Sequence, residues 1–335
     1  MKVAVVPGDG VGPYVVNSVV KIASYIAPEL EFEEYLISQK TWKERGESIY
    51  KDIENLVDRN RNIFKGPINT KGMSKSAVVY MRDVAQVNAI IRPIKSLPWS
   101  KESYNFIIFR QGREGLYSGK ERREINDDEI VITERVFSRK QLGSFFSKAF
   151  EYAERNKLGV ICASKPTVIK MGDGFWNEIF DEVGKNYPLV PKEKINVDDC
   201  FHKIAQNPAT LNGKVIVLEN SQGDLASSIS PVPPWSLGSA AIGEKANIFE
   251  PVHGTADDLI ERGQRERINP TGAIRALSLM LYSFGWDEKG RKLEEITDEV
   301  LKESYENGKI DGNMNFIGMS TDEFTNRIIE KLQTT

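Results

Sequence analysis

Residues 109–121 read FRQGREGLYSGKE, and the run Asn105-Phe-Ile-Ile-Phe109 leads into them. A short apolar run bounded by polar sequence reads as a buried strand. That strand delivers Arg110 and, seven residues on, Tyr117. Upstream, residues 80–98 read YMRDVAQVNAIIRPIKSLP and carry Arg82 and Arg92 ten residues apart. A guanidinium meets a carboxylate through two parallel hydrogen bonds that an ammonium cannot reproduce. A phenol can donate a proton to a developing carbanion. Three arginines and a tyrosine near strand and helix ends therefore suggest a pocket for a small polyanion. On these residues alone, surface salt bridges and a tyrosine at the core edge are the simpler account. The rest of the chain reverses that balance.

A chain of 335 residues is too long for one small core and implies two domains or one large α/β unit. Apolar and charged residues make up 40% and 28%, ordinary proportions for a soluble globular protein. The formal net charge of −3 gives no reason to expect nucleic acid or an anionic membrane as partner. Cys162 and Cys200 lie inside apolar or mixed segments, so a disulfide framework is implausible and a reducing cytoplasm is the expected location. His202 and His253 are too few for a histidine-rich metal site. The apolar start Val3-Ala-Val-Val6 stops at Pro7-Gly8, so neither a signal peptide nor a membrane span is expected.

In chain order, Val3–Val6 is a strand followed by PGDGVGP. The glycines at 8, 10 and 12 depart from the G-x-G-x-x-G dinucleotide spacing, which would place glycine at Pro13. A glycine turn into a helix from about Val15 is the reading that remains. Residues 42–60 are helical in parts, and Ile63-Phe64 ends at Lys65-Gly66-Pro67. A polar loop, NTKGMSKS at 69–76, precedes Arg82. The segment 124–136 alternates as a strand does and could be a hairpin arm reaching to a partner. Leu142, Phe145, Phe146, Ala149, Phe150 and Ala153 fall at helical spacing and form a core face. Strands at 158–163 and 215–218 deliver Ser164-Lys165 and Glu219-Asn220, and Ile248-Phe249 ends in Glu250-Pro-Val-His253-Gly254. Ser320 and Glu323 make a capping box for a last helix that buries Phe324, Ile328 and Leu332. Strands alternate with helices throughout, so the fold class is α/β with much parallel sheet.

In such sheets ligand sites lie at the carboxyl ends of strands. Lys165 follows one strand. Asp224 follows another, four residues after Asn220. Asp198 and Asp199 open a helix after Ile195-Asn-Val197, where Asp198 also suits a helix cap. Carboxylates without cysteine or clustered histidine suit Mg²⁺ or Mn²⁺. A lysine beside a metal and arginines loses its proton more readily and is a candidate base; otherwise it is a solvated loop lysine.

Taken together, the ordered motifs make the chain similar to the isocitrate/isopropylmalate dehydrogenase family, the metal-dependent β-decarboxylating dehydrogenases. The resemblance rests on Arg82 and Arg92 at their spacing, R-x-x-x-E-G-x-Y at 110–117, Lys165, Val197-Asp198, N-x-x-G-D at 220–224 and FEPVHGTA at 249–256. It runs from PGDGVGP to Asn269-Pro270 and on to the C-terminal helix. It implies a two-domain fold with a mixed parallel sheet core and without a Rossmann fold. Residues 1–87 with 235–335 would form a large cofactor-binding domain. Residues 88–234 would form a small domain whose arm near 120–136 clasps a partner in a homodimer with shared active sites. Arg82, Arg92 and Arg110 would clamp the substrate carboxylates. Tyr117 would protonate the enol after CO₂ leaves, and Lys165 from the neighbouring subunit would help remove the hydroxyl proton. Asp224 and the other subunit's Asp198 would hold Mg²⁺ or Mn²⁺. Glu250, His253, Gly254 and Asn269 match the cofactor loop, and Asp258 resembles the acidic residue of NAD users. Arg265 and Arg267 are the side chains that could instead approach a phosphate. In the loop before Arg82, Lys75 and Ser76 suit a third carboxylate, whereas Val78 and Val79 lean toward an isopropyl group.

The chain also departs from the family pattern. Gly112 stands where R-x-N has asparagine, and Thr167 where K-x-N has asparagine. Ser228 replaces the last carboxylate of G-D-x-x-S-D, and Tyr14 replaces an acidic residue. The run Pro231-Val-Pro-Pro234 is one that helices tolerate poorly. The expected activity is NAD-dependent oxidative β-decarboxylation of isocitrate or homoisocitrate. The alternatives are a 3-isopropylmalate dehydrogenase, or a catalytically weak regulatory subunit. Retention of Tyr117, Lys165, Asp198 and Asp224 favours an enzyme.

Overall fold

A computed structural model describes residues 1–125, 128–264 and 267–334, with Ser118 described by its backbone alone. Two compact units emerge. One comprises Met1–Val87, Leu97–Lys101 and Val232–Thr335, the other Asn88–Ser96 and Glu102–Pro231.

The first unit opens with β1 (Lys2–Val6), α1 (Gly12–Ile26), β2 (Glu31–Glu34), α2 (Gln39–Arg45), α3 (Ser48–Arg59), β3 (Asn62–Lys65) and α4 (Ala77–Val84). Helix α1 begins at Gly12, earlier than the sequence suggests. Pro13 occupies its first turn, where a fixed φ and a missing N–H are both tolerated. The chain then enters the second unit with β4 (Val87–Lys95), β5 (Asn105–Gln111), β6 (Glu121–Ile125), β7 (Glu129–Thr133), α5 (Arg139–Arg155), β8 (Gly159–Ser164), α6 (Lys170–Gly184), β9 (Lys192–Asn196), α7 (Val197–Gln206), β10 (Lys214–Leu218) and α8 (Asn220–Ser228). It returns to the first with β11 (Gly238–Gly243), β12 (Asn247–Pro251), α9 (Asp257–Glu261), α10 (Thr271–Ser283), α11 (Asp287–Glu306) and α12 (Thr321–Thr334).

In the first unit the strands lie in the order β2-β1-β3-β12-β11, all neighbours parallel except β11 and β12. In the second the order is β4-β5-β10-β8-β9, antiparallel only between β4 and β5. The class is α/β with a mixed, mostly parallel sheet. Parallel strands covered on both faces explain why β3, β8 and most of β10 are buried end to end. The charged edge strand β9, KEKIN, has no apolar run and is not legible as a strand. Charge on an edge strand discourages pairing with other chains. The alternating segment 124–136 is not one strand but part of a hairpin. Strands β6 and β7 pair antiparallel, Glu121 opposite Thr133, and Asn126 and Asp127 lie outside the described residues.

The six apolar residues of α5 are fully buried against α6, where Phe146 meets Trp176 and Phe180 edge to face and Phe145 lies tilted against Trp176. Each such side chain contributes roughly 1.5–3 kcal/mol by leaving water. Ser320 Oγ accepts the Glu323 N–H at 3.0 Å at the start of α12; Phe324 and Ile328 are buried, and Leu332 is partly covered. The proline run at 231–234 lies beyond the end of α8 and opens a short 3₁₀ turn, so no helix is broken. Among the described residues no helix is long and apolar enough to cross a membrane.

Candidate active site

In the second unit, β4 and β5 run antiparallel with Ile90 opposite Arg110 and Arg92 opposite Ile108. Both arginines are about 95% buried. They converge on α8, whose positions 220, 224 and 227 lie on one face. Arg92 donates to Asp224 Oδ1 at 2.9 Å and to Ser227 Oγ at 2.6 Å. Arg110 donates from Nε to Asn220 Oδ1 at 2.9 Å and also reaches Asp224 Oδ1. Asp224 is much more exposed than the arginines beneath it, with 39% of its side chain accessible. A carboxylate therefore sits on a bed of two buried guanidinium groups. Gly223 makes the approach possible, because a Cβ there would lie 2.7 Å from Arg110 Cβ.

Tyr117 is half exposed, and its ring lies 5.9 Å from the Arg110 guanidinium. Glu219, almost fully buried, holds that segment. It accepts the Leu116 N–H at 2.6 Å and caps α8 through Ser221 and Gln222. Gly115 has φ +106°, and a Cβ there would strike Glu219 Oε1, which gives the glycine of E-G-x-Y a physical reason. Lys165 leaves the end of β8 and places Nζ 2.5 Å from Asp198 Oδ1 in the first turn of α7. That hydrogen bond holds the Asp198 carboxyl below the usual carboxylate range. Asp198 and Asp224 thus belong to separate clusters, one with a lysine and one with arginines.

The first unit holds the remaining candidates. Arg82, in the last turn of α4, contacts Glu250 Oε1 at 2.5 Å, and Lys65 at the end of β3 contacts Oε2. Burial pushes the Glu250 carboxyl up, but the Lys65 and Arg82 charges override it and hold it below the usual range. Glu250 therefore faces two cations instead of open solvent. Lys65 was visible in the sequence only as the end of a strand. A lysine closing an apolar strand before Gly-Pro was the available signal. Ser227 and Glu219 carried none.

His253 is buried under Trp235, with ring centroids 4.4 Å apart. Its Nδ1 contacts the Gly254 carbonyl at 3.0 Å, while Nε2 is buried with no partner. Gly254 beside it is exposed. Burial lowers the imidazole pKa from 6.5 to about 4. Between those values the unfolded chain binds a proton that the folded chain does not, so stability falls as pH drops from 6.5 toward 4. Full expression of that shift is about 3 kcal/mol. Melting curves from pH 7 to 4 should show this acid-side loss, and His253→Gln should flatten it; an unchanged profile would contradict the buried neutral imidazole.

The Asn269 side chain is turned inward, accepting from Thr271 and donating to the Met314 carbonyl at 2.8 Å. Asp258 is exposed in α9 with Arg262 3.8 Å away; Arg267 is exposed and Arg265 lies outside the described residues. Ser76 Oγ caps α4 through Val79 N–H, while exposed Lys75 lies 5.5 Å over the Tyr80 ring. Val78 is partly covered and Val79 exposed.

Comparison of the whole chain with known proteins gives the family. The family model "Isocitrate/isopropylmalate dehydrogenase" matches residues 2–328. A 3-isopropylmalate/3-methylmalate dehydrogenase of Methanocaldococcus jannaschii is 31% identical, covering 98% of this chain and 99% of that protein. An isocitrate/homoisocitrate dehydrogenase of Thermus thermophilus is 29% identical, covering 99% of each. The crystal structure of isocitrate dehydrogenase from Methylococcus capsulatus superposes with a TM-score of 0.84 at 26% identity, over 99% of both chains. The chain belongs to the isocitrate/isopropylmalate dehydrogenase family, whose members are oxidatively decarboxylating dehydrogenases.

Proposed function

We propose that the protein catalyses NAD-dependent oxidative β-decarboxylation of a 2-hydroxy acid bearing a 3-carboxylate, isocitrate first and homoisocitrate next. The observation that carries this reading is the partly exposed Asp224 carboxylate on the buried Arg92–Arg110 bed, with Tyr117 beside Arg110. Buried guanidinium groups held by Asn220, Asp224 and Ser227 are pre-organised to take carboxylates with little loss of side-chain freedom. Arg82, held by Glu250 and with Nε buried and unpartnered, offers a further donor.

The residues fit the groups that this chemistry needs. Carboxylate oxygens of Asp224, and of Asp198 from a second copy in a homodimer, are the hard donors that Mg²⁺ or Mn²⁺ prefers. The resemblance to the family is what draws the second carboxylate from the partner; among the described residues no three His, Cys, Asp or Glu converge. The unpartnered, buried His253 Nε2 offers a polar contact for a dinucleotide, with Gly254 exposed beside it. When bound, the dinucleotide would take the hydride and the metal would polarise the hydroxyl and carboxylate oxygens as a Lewis acid. Lys165 of that second copy serves as base for the hydroxyl proton. Arg92 and Arg110 hold the carboxylates against rotation. Tyr117 donates its phenolic proton to the carbon that loses CO₂, and its partial exposure lets it recover a proton from solvent.

Lys75 and Ser76 supply a cation and a hydroxyl for a third carboxylate, which places isocitrate ahead of 3-isopropylmalate. Val78 and Val79 favour the latter as the runner-up. For the cofactor, the Asp258 carboxylate can accept from the adenosine ribose hydroxyls but repels a 2′-phosphate. Catalytic efficiency with NAD⁺ should exceed that with NADP⁺ by roughly tenfold or more, about 1.4 kcal/mol. Equal or better efficiency with NADP⁺ would refute the assignment of Asp258.

A further inference from the structure

We propose that Asp173 is a positioning residue for Lys165, acting on the proton-transfer step without touching substrate. The inference rests on the reading of Lys165 as the base. Asp173 lies in the first turn of α6 and is 3% exposed. Its Oδ2 accepts the backbone N–H of Lys165, and its Oδ1 pairs with the Arg135 guanidinium. The Lys165 carbonyl accepts from the N–H groups of Val168 and Ile169 at 3.1 and 2.9 Å, and the Ile169 carbonyl accepts from Asp173 N–H at 3.0 Å. The turn from β8 into α6 is thereby closed on itself, with one buried carboxylate tying its first residue to the helix.

A lysine side chain has four rotatable bonds, so the position of its ammonium is set at the two ends. One end is the Nζ contact with Asp198. The other is the backbone, and Asp173 fixes it. A buried carboxylate is costly unless paired. Arg135 supplies the pair, and its guanidinium also lies 5.1 Å over the Phe137 ring, which packs 5.4 Å from Trp176 of α6. The segment that follows β7 and the turn that carries Lys165 are thus fastened by the same carboxylate.

The test compares Asp173→Asn, Asp173→Glu, Lys165→Ala and the Asp173→Asn/Lys165→Ala pair in the intact enzyme, assayed at saturating cofactor and Mn²⁺. Asparagine keeps size and an acceptor oxygen but loses the charge that pairs with Arg135. Its kcat should fall on the order of 10- to 100-fold, as for a misplaced reacting group, while KM for the hydroxy acid changes little. Asp173→Glu should recover part of the rate. In the Lys165→Ala background Asp173→Asn should add no further loss, because its effect runs through a side chain already gone. If Asp173→Asn fails to fold, Arg135→Gln tests the same link, with a smaller fall in kcat that also vanishes without Lys165. An equal fall with and without Lys165, or an unchanged kcat in the folded variant, overturns the positioning role alone. Near-full activity of Lys165→Ala overturns the reading of Lys165 as base and this inference with it.

Discussion

Glu250→Gln should destabilise the fold by about 3–5 kcal/mol, the usual result of removing one partner from a buried ion pair. Lys65 and Glu250 expose only 3% and 7% of their side chains, and Arg82 exposes 15%. Glutamine fills the same space, so what is lost is charge. An ammonium and a guanidinium would then face each other inside the first unit without an anion. The double variant Lys65→Met/Glu250→Gln should recover much of the loss, since an apolar side chain can replace a buried charge at little net cost. Urea unfolding of the three proteins measures both effects; a loss below about 1 kcal/mol for Glu250→Gln would mean that the pair is not desolvated. Arg82 would also lose its anchor, so substrate KM should rise in the folded fraction.

Asp224→Asn should cost several kcal/mol of transition-state stabilisation, on the order of 10³-fold in kcat/KM. In the structure the partly exposed Asp224 is the shared acceptor of Arg92 and Arg110, and in the proposed function it is also a donor for a divalent cation. Neutralising it weakens the second role and loosens the two guanidinium groups that the first role aligns. Ser228 bears on the same point. It is exposed at the end of α8 and bonds the Asp224 carbonyl at 3.1 Å. A hydroxyl there contributes no charge, and ligand charge sets much of divalent affinity. The enzyme should therefore require more Mg²⁺ or Mn²⁺ than a carboxylate at 228 would allow, and Ser228→Asp should lower the half-saturating concentration. Titration of activity with Mn²⁺ measures both variants. Full activity of the unmodified enzyme in excess EDTA would remove the metal from the account.

The fold class was legible because its signal is local. Apolar runs such as Phe106–Phe109 and Val215–Leu218 are strands buried on both faces, and Leu142 through Ala153 fall at the spacing of one helix face. What escaped was set by other parts of the chain. The strand Lys192–Asn196 is polar because it lies at an edge, and only the neighbouring β8 makes it a strand. Lys65 looks like an ordinary loop boundary until β12 brings Glu250 beside it, 185 residues later in the chain. Asp173 lies in the first turn of α6, where the helix dipole already favours an acidic residue, so its type alone carries no further signal. Its bond to the Lys165 N–H depends on the turn between them. The loop of Lys75 and Ser76 shows the opposite limit. Its residues are legible as types, but that Ser76 also caps α4 and that Lys75 lies over the Tyr80 ring is set by the fold around them.

Steady-state formation of NADH with Mn²⁺ and, in turn, isocitrate, homoisocitrate, 3-isopropylmalate and D-malate tests the central claim most directly. The account predicts turnover that releases CO₂, with the highest kcat/KM for isocitrate and homoisocitrate next. A preference of tenfold or more for 3-isopropylmalate, about 1.4 kcal/mol in the transition state, would contradict the assignment of Lys75 and Ser76. No reduced dinucleotide from any of the four, with NAD⁺ or with NADP⁺, would contradict the enzyme itself.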